Sequence, residues 1–184
     1  MVKSWEVLSS DVVYQKKWLQ VKEERCKLPD GRILYPYIIV NVPSFCNVFI
    51  VTEQEEIVLV KQYRHAAGII SLEIPGGMID DGEDPITAVI REMREETGYS
   101  SEEISLLFTI NPNPPLENNR AWFYLVKNAK KTLPTSLDAF EDIELVLMPK
   151  TEFIQKLLNH EFTHGTQIGA MYAAAIQLGW LVAQ

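Results

Sequence analysis

The chain has 184 residues, 47% of them hydrophobic and 23% charged, with a formal net charge of −8. That length suits one domain, or one domain with a small appendage, able to bury roughly 70% of its unfolded surface without disulfides or metals to hold it. The acidic balance excludes nonspecific nucleic-acid binding, which needs the opposite sign, and it means that an anionic ligand is either repelled or bridged by a cation.

No apolar run approaches the ~20 residues of a membrane span. The N-terminal MVKSWEVLSSDVVYQKKW lacks the apolar stretch of a secretory signal. Cys26 and Cys46 have neither metal-ligand nor redox spacing, so they read as thiols of a reducing cytoplasm, a Cys26–Cys46 disulfide being the alternative.

In chain order, residues 12–42 predict two long strands around a Pro-Asp-Gly-Arg turn, on their Tyr, Val and Ile content. CNVFIVT (46–52) and EIVLVKQYR (56–64) are β-rich and separated by a polar break. SLEIPGG (71–77) predicts a short strand running into a Gly-Gly loop. A helix follows, with Asp84 at the N-cap and Pro85 at its first position. Ile86, Val89, Ile90 and Met93 recur at helical spacing as one apolar face, and Gly98 stands where a left-handed C-cap is expected. EISLLFTI (103–110), RAWFYLV (120–126) and IELVLMP (143–149) predict strands, with a rigid NPNPP loop at 111–115. Residues 150–160 and 165–181 predict helices, the second weakened at its start by Gly169. This order is α+β, or an α/β/α sandwich. The N-terminal strands, 1–44, are expected to form a separate small sheet ahead of a main domain at 45–184.

The chemistry concentrates in GGMIDDGEDPITAVIREMREETGY (76–99). Glu92 and Glu96 lie four apart on the helix with Glu95 beside them, and like charges at that spacing destabilise a helix by about 0.2–0.5 kcal/mol per pair. Arg91 offsets part of this at i+4 from Glu95. Convergent carboxylates suit a hard divalent cation, which takes oxygen ligands and completes its shell with water and substrate phosphates. The competing reading is a solvated acidic helix face.

From Gly77 the chain reads Gly, five residues, Glu83, seven residues, Arg91-Glu92, Met93, Arg94, Glu95-Glu96, Thr97, Gly98, Tyr99. This resembles the Nudix box, the signature of hydrolases that cleave nucleoside diphosphates linked to another moiety. Met93 and Tyr99 fill its two aliphatic slots. The resemblance implies an α/β/α sandwich with a mixed sheet. It implies Glu92 and Glu96 as principal Mg²⁺ ligands (Mn²⁺ being an alternative ion), Glu95 as a further ligand or water orienter, and the Gly76 carbonyl in one metal shell. Glu83 and Arg91 would brace the loop on the helix, with Gly77 and Gly98 as the signature's fixed glycines.

Features outside the box resemble the ADP-ribose pyrophosphatase subgroup. VLVKQYRHAAGIISLEIPGGMIDDGE (58–83) matches its strand and lead-in, with Arg64 facing a substrate phosphate or simply standing at a strand end. Glu73 either lines the site or pairs with Arg64. Pro115 stands sixteen residues after Tyr99, near the subgroup's marker proline. In AFEDIELV (139–146), Glu141 or Asp142 is a candidate acidic residue for the metal site, while Ala139 occupies the position of one relative's base glutamate. The general base is thus Glu95, Glu141, or no dedicated residue.

Trp18 is the candidate for stacking on a nucleobase, although packing serves any of Trp5, Trp18, Tyr35 and Tyr37 equally well. The resemblance implies a homodimer joined through the N-terminal strands, and the cysteines imply a cytoplasmic setting. The expected reaction is Mg²⁺-dependent hydrolysis of ADP-ribose, or of nucleoside diphosphate sugars more broadly, with a non-catalytic ligand sensor as the alternative from another class. HEFTH (160–164) matches the zinc-peptidase pattern. It lacks a downstream third ligand and spans a break between helices, so both histidines are expected to flank helix ends.

Overall fold

The computed structural model describes residues 1–182, which form two compact units. The first comprises Met1–Ser44 together with Ile110–Arg120. Its sheet is an antiparallel meander of β1 (Glu6–Lys16), β2 (Leu19–Lys27) and β3 (Ile33–Asn41). Three strands therefore stand where two were expected. The first reversal is a tight turn at Lys17–Trp18, where Lys17 takes a φ of 28°. Lysine and tryptophan carry none of the usual turn chemistry, so the composition concealed this hairpin. The segment 110–120 runs along β3: the Val40 N–H donates to the Leu116 carbonyl (2.8 Å), and the Tyr37 hydroxyl to the Pro115 carbonyl (2.8 Å). Trp5 packs edge-on against Tyr37. Cys26 is a free, buried thiol.

The second unit is built on a mixed sheet of β4 (Phe45–Thr52), β5 (Glu56–Arg64), β6 (Ile69–Glu73), β7 (Gly76–Met78), β8 (Tyr99–Ser100), β9 (Glu103–Ile110), β10 (Ala121–Lys131) and β11 (Ile143–Pro149). The strand order is β11-β5-β4-β10-β8, with β6 on β5, β7 on β4 and β9 on β10. Only β10 on β4 is parallel among the registered pairs of this sheet. The Gly-Gly segment expected as loop is itself a three-residue strand, Asn47 facing Gly76 and Cys46 facing Gly77.

Strand β4 is buried from Cys46 to Thr52, the mark of a strand covered on both faces. Its alternate residues divide accordingly. Val48 and Ile50 join Val58, Ala88, Val89 and Met93 beneath helix α1 (Pro85–Thr97). On the other face Phe49 meets Phe153 edge-on at 5.1 Å, on the side of helices α2 (Lys150–Leu158) and α3 (Gly165–Gln177). The second unit is thus an α/β/α sandwich.

Helix α1 begins and ends as its sequence dictates. The Asp84 carboxylate accepts the Ile86 N–H (3.1 Å), Pro85 opens the first turn, and Gly98 closes it at φ 72°. Gly98 N–H donates to the Arg94 carbonyl, and a Cβ there would overlap the Leu133 carbonyl. Asn159 and His160 lie past the end of α2, and His164 is the N-cap of α3. No helix carries both histidines, as the break in the sequence suggested.

Candidate active site

Strand β7 delivers two glycines to the glutamate face of α1, Gly76 where backbone leaves no room for a side chain and Gly77 where one would displace a carboxylate. A Cβ on Gly77 would overlap the Glu92 carboxylate, and one on Gly76 would overlap the Cys46 carbonyl and Asn47. The Gly76 N–H instead donates to Glu96 Oε2 at 2.8 Å. Asn47 holds the turn before it, its Nδ2 donating to the Pro75 carbonyl at 3.3 Å. The buried stripe of α1 contains Glu92 and Glu96 alongside Ala88, Val89 and Met93. An acidic face turned inward is the opposite of a solvated one, so the solvated reading does not hold for Glu92 and Glu96.

Arg91 organises the rest. Its Nε and Nη2 grip Glu83 (3.1 and 2.9 Å), its Nη1 reaches Glu92 (2.8 Å) and Glu95 (3.2 Å), and Nη2 also meets the Met78 carbonyl. Glu83 in turn accepts the Asp80 N–H. One guanidinium therefore joins the lead-in loop, β7 and the helix. Its grip holds the Glu83 carboxyl below the usual carboxylate range.

Arg91, with the charge of Arg64 felt at Glu96, does not offset the burial of these carboxylates. Burial, reinforced by repulsion from Glu92 and Glu141, pushes the Glu96 carboxyl up to about 8 despite the Gly76 hydrogen bond. Burial also raises Glu92, against the pull of Arg91 and with repulsion from Glu95 and Glu141. Glu141 is therefore within electrostatic reach of both. It lies in the loop between β10 and β11, its Oε2 accepting the Asp138 N–H at 2.9 Å. That loop is tied to α1 where the Ser136 N–H donates to the Glu95 carbonyl at 2.8 Å.

Among the described residues, no three Asp, Glu, His or Cys side chains are gathered closely enough to enclose an ion by themselves. Of the three glutamates, the pair Glu92 and Glu96 is buried beside Gly76 while Glu95 is more exposed, and Arg91 bonds Glu92 as well as Glu95. That pair still fits a magnesium-like ion, which is held by one or two carboxylates and completed by waters and substrate phosphates.

Arg64 and Glu73 stand on adjacent antiparallel strands, β5 and β6. Nε and Nη2 of Arg64 donate to the two Glu73 oxygens at 2.8 and 2.6 Å. The Glu73 side chain is 0% exposed and that of Arg64 42%. Burial pushes the Glu73 carboxyl up, but the two hydrogen bonds and the charge of Arg64 outweigh it and leave the carboxyl below its ordinary value. Of the two roles open to Glu73, the structure shows the pairing with Arg64, and the side chain is fully buried.

Trp18 and Pro115 belong to the first unit. Trp18 is exposed in the β1–β2 turn with the Lys17 ammonium 3.7 Å from its ring centre, and Pro115 offers its carbonyl to Tyr37.

The sequence reading missed Gln167. It is 1% exposed, its Nε2 donates to Glu73 Oε2 (3.3 Å), and its Oε1 accepts the Ile74 N–H (2.9 Å). The signal was present: Gln167 shares the apolar stripe of Ala170, Met171 and Ala174 at helical spacing, a polar residue in a core slot. Cys46 was read only for its redox state. It lies buried with its Sγ near the Gly77 carbonyl, and burial raises its thiol to about 12.

Residues 41–167 match the NUDIX domain family, and residues 5–40 match the family described as the nucleoside diphosphate sugar hydrolase N-terminal domain. The methanol dehydrogenase activator of Bacillus methanolicus is 28% identical over 82% of this chain and 81% of its own. The ADP-ribose pyrophosphatase of Bacillus subtilis (strain 168) is also 28% identical, over 59% of this chain and 58% of its own. A crystal structure of an ADP compounds hydrolase superposes with a TM-score of 0.84 over 98% of this chain and 97% of that one, at 15% identity, a likeness of fold. The helix that turns its glutamates inward against two glycines lies within the matched segment, and the chain belongs to the NUDIX domain family.

Proposed function

We propose that this chain hydrolyses the pyrophosphate linkage of ADP-ribose or a related nucleoside diphosphate sugar, giving a nucleoside monophosphate and a sugar phosphate, with Mg²⁺ as its ion. The observation that carries this reading is the buried pair Glu92 and Glu96, both pushed toward protonation by burial first and by neighbouring carboxylates second. Glu92, Glu96 and the Gly76 carbonyl would hold the ion, with Glu95 orienting a water. A divalent cation held there offsets the phosphate charge and acidifies a water.

The chain's own residues do the rest. Arg91 and Glu83 keep the glycine strand and the helix in register. The Gly76 N–H fixes one Glu96 oxygen, leaving the other for the ion. Arg64 spends its Nε–Nη2 edge on Glu73 and offers the remaining edge to a phosphate, a planar bidentate fit. Glu141 is the general base in this reading: Asp138 takes only its Oε2, and proton removal by a positioned carboxylate contributes ~10²–10⁴-fold.

In the first unit, Trp18 is kept as the candidate for stacking on the nucleobase and Pro115 as a candidate substrate-binding residue. That unit also supports a homodimer, because β1 is exposed along its whole length and carries Val7, Leu8, Val12, Val13 and Tyr14, an unprotected apolar edge. Two free, buried thiols support a reducing, cytoplasmic setting. Among the described residues no helix is long and apolar enough to cross a membrane. The net charge argues against nucleic acid as a partner.

The match of residues 5–40 supports breadth toward other nucleoside diphosphate sugars as the second reading. A non-catalytic sensor is disfavoured by the retention of Glu92, Glu95 and Glu96. Phosphate and AMP release from ADP-ribose, sugar nucleotides and dinucleotide polyphosphates, with Mg²⁺, tests all three. Turnover of none of them, or an undiminished rate in Glu96→Gln, would sink the proposal.

A further inference from the structure

We propose that Gln167 is a positioning residue, which fixes the free edge of Arg64 by locking Glu73 from behind. That a substrate phosphate uses this edge rests on the hydrolase reading above. That Gln167 sets the edge does not.

A guanidinium has two edges able to grip an oxyanion. Glu73 occupies the Nε–Nη2 edge, so the plane of its carboxylate dictates where the Nη1 side points. A glutamate side chain alone sets that plane loosely, through a broad terminal torsion. Here Glu73 Oε2 receives a second donor, Gln167 Nε2, at 3.3 Å. The same amide accepts the N–H of Ile74, the next residue, at 2.9 Å. Gln167 thus clamps a side chain and a backbone group that are adjacent in sequence, and a carboxylate held from two sides cannot rotate without breaking a bond.

The clamp stands on a rigid base. Gln167 lies in the first turn of α3, its own N–H bonded to the His164 carbonyl at 3.0 Å. Ala170, Met171, Ala174 and Ala175 bury the helix behind it. His164 Nε2 stands 3.8 Å from the same Glu73 oxygen, with Nδ1 3.1 Å from Thr166 Oγ1. The helix N-terminus itself favours an anion at this place.

A purely packing residue would be Leu or Met, of similar volume. Either would leave the Ile74 N–H and a lone pair of Glu73 buried and unpaired. A glutamate would set two carboxylates against each other. The amide alone donates to one neighbour and accepts from the other.

The test uses the full chain. The Arg64 Nε–H resonance is assigned by its loss in Arg64→Lys, and its solvent exchange is measured in native protein and in Gln167→Met. KM and kcat for ADP-ribose with Mg²⁺ are measured in native protein, Gln167→Met, Arg64→Ala and the double variant. The expected result is faster Nε–H exchange in Gln167→Met, a KM raised roughly 5–20-fold with kcat nearly unchanged, and little further rise in KM when Gln167→Met is added to Arg64→Ala. An Arg64 resonance that ignores Gln167→Met, or a KM effect that is the same with and without Arg64, overturns the proposal. If the resonance responds but no nucleotide is hydrolysed, the positioning role stands and the proposed function falls. Should Gln167→Met not fold, Gln167→Asn keeps the amide on a stem too short to bridge Glu73 and Ile74, and is read in the same way.

Discussion

Arg64 and Arg91 both hold glutamates in the same unit, yet they do opposite things. Arg64 meets one buried carboxylate, matches it bond for bond, and leaves Glu73 below its ordinary value. Arg91 is shared among Glu83, Glu92 and Glu95, while Glu96 has the Gly76 N–H as its hydrogen-bond donor. The first arrangement is electrically complete and serves as scaffold. The second packs several carboxylates together, and Glu92 and Glu96 rise through burial, with repulsion from their neighbours added. A matched pair braces; an unmatched cluster is what the proposed function gives to a cation.

The largest expected effect lies in the unmatched cluster. Glu96→Gln removes an ion ligand worth several kcal/mol of charge stabilisation, so kcat should fall roughly 10³-fold in steady-state assays with Mg²⁺. A loss below tenfold would place the chemistry elsewhere.

Next comes the matched pair. Arg64→Ala strands Glu73 in the core, a change that costs about 3–5 kcal/mol for a fully buried pair. Partial exposure of Arg64 and solvent screening trim this to roughly 2 kcal/mol, and the thermal midpoint should drop by about 4–8 °C. An unchanged midpoint would mean that Glu73 finds water or another donor.

Gly77→Ala sharpens the contrast from the side of geometry, by pushing the Glu92 carboxylate aside. Activity should fall roughly 10–100-fold, read as a higher Mg²⁺ requirement that excess ion partly restores.

A smaller effect distinguishes the two sites by pH. The Glu96 carboxyl is raised to about 8 from its ordinary 4.5, so the folded state binds its proton more tightly than the unfolded chain does. The stability this group contributes is complete below about 4.5 and is lost as pH rises through about 8. Chelator-treated protein should therefore lose thermal stability over that window, Mg²⁺ should counter the loss, and Glu96→Gln should flatten it. Glu73 has the opposite sign, its share being present above its unfolded value and lost only in acid. The smallest change is the control: Lys61→Ala breaks an exposed pair with Glu144 and should shift stability by no more than about 0.5 kcal/mol.

Much of this was legible because the signals are local. The Asp84 cap, Pro85, the apolar stripe and Gly98 sit within one short stretch and specify α1 without help from elsewhere. The four-residue spacing of Glu92 and Glu96 put both on one side, although only the fold could show that side facing inward. What stayed hidden depends on distant partners. The β1–β2 hairpin turns at Lys17–Trp18 without turn-forming residues, and tertiary pairing overrides composition there. The Gly-Gly segment becomes a strand because β4 offers it a partner. Gln167 is more than ninety residues from Glu73 and Ile74, and one polar residue in an alanine-rich helix carries little weight by itself. Glu73 was read as either ligand contact or brace; its complete burial is a property of the packed unit.

Gly98 was described as a helix cap, but its carbonyl also accepts the N–H groups of Thr132 (2.9 Å) and Leu133 (3.1 Å), while Ser136 bonds the Glu95 carbonyl. Helix ends leave carbonyls that need donors, and here the donors come from the segment that leads to Glu141. The end of the glutamate helix and the near half of that segment therefore share one unfolding event, and their amides should exchange with solvent together. The far half, from Asp138 onward, has no such tether in these bonds. In the proposed function, the near half ties the arm that carries the base to the end of the helix that carries the ion's ligands, so one anchorage serves both.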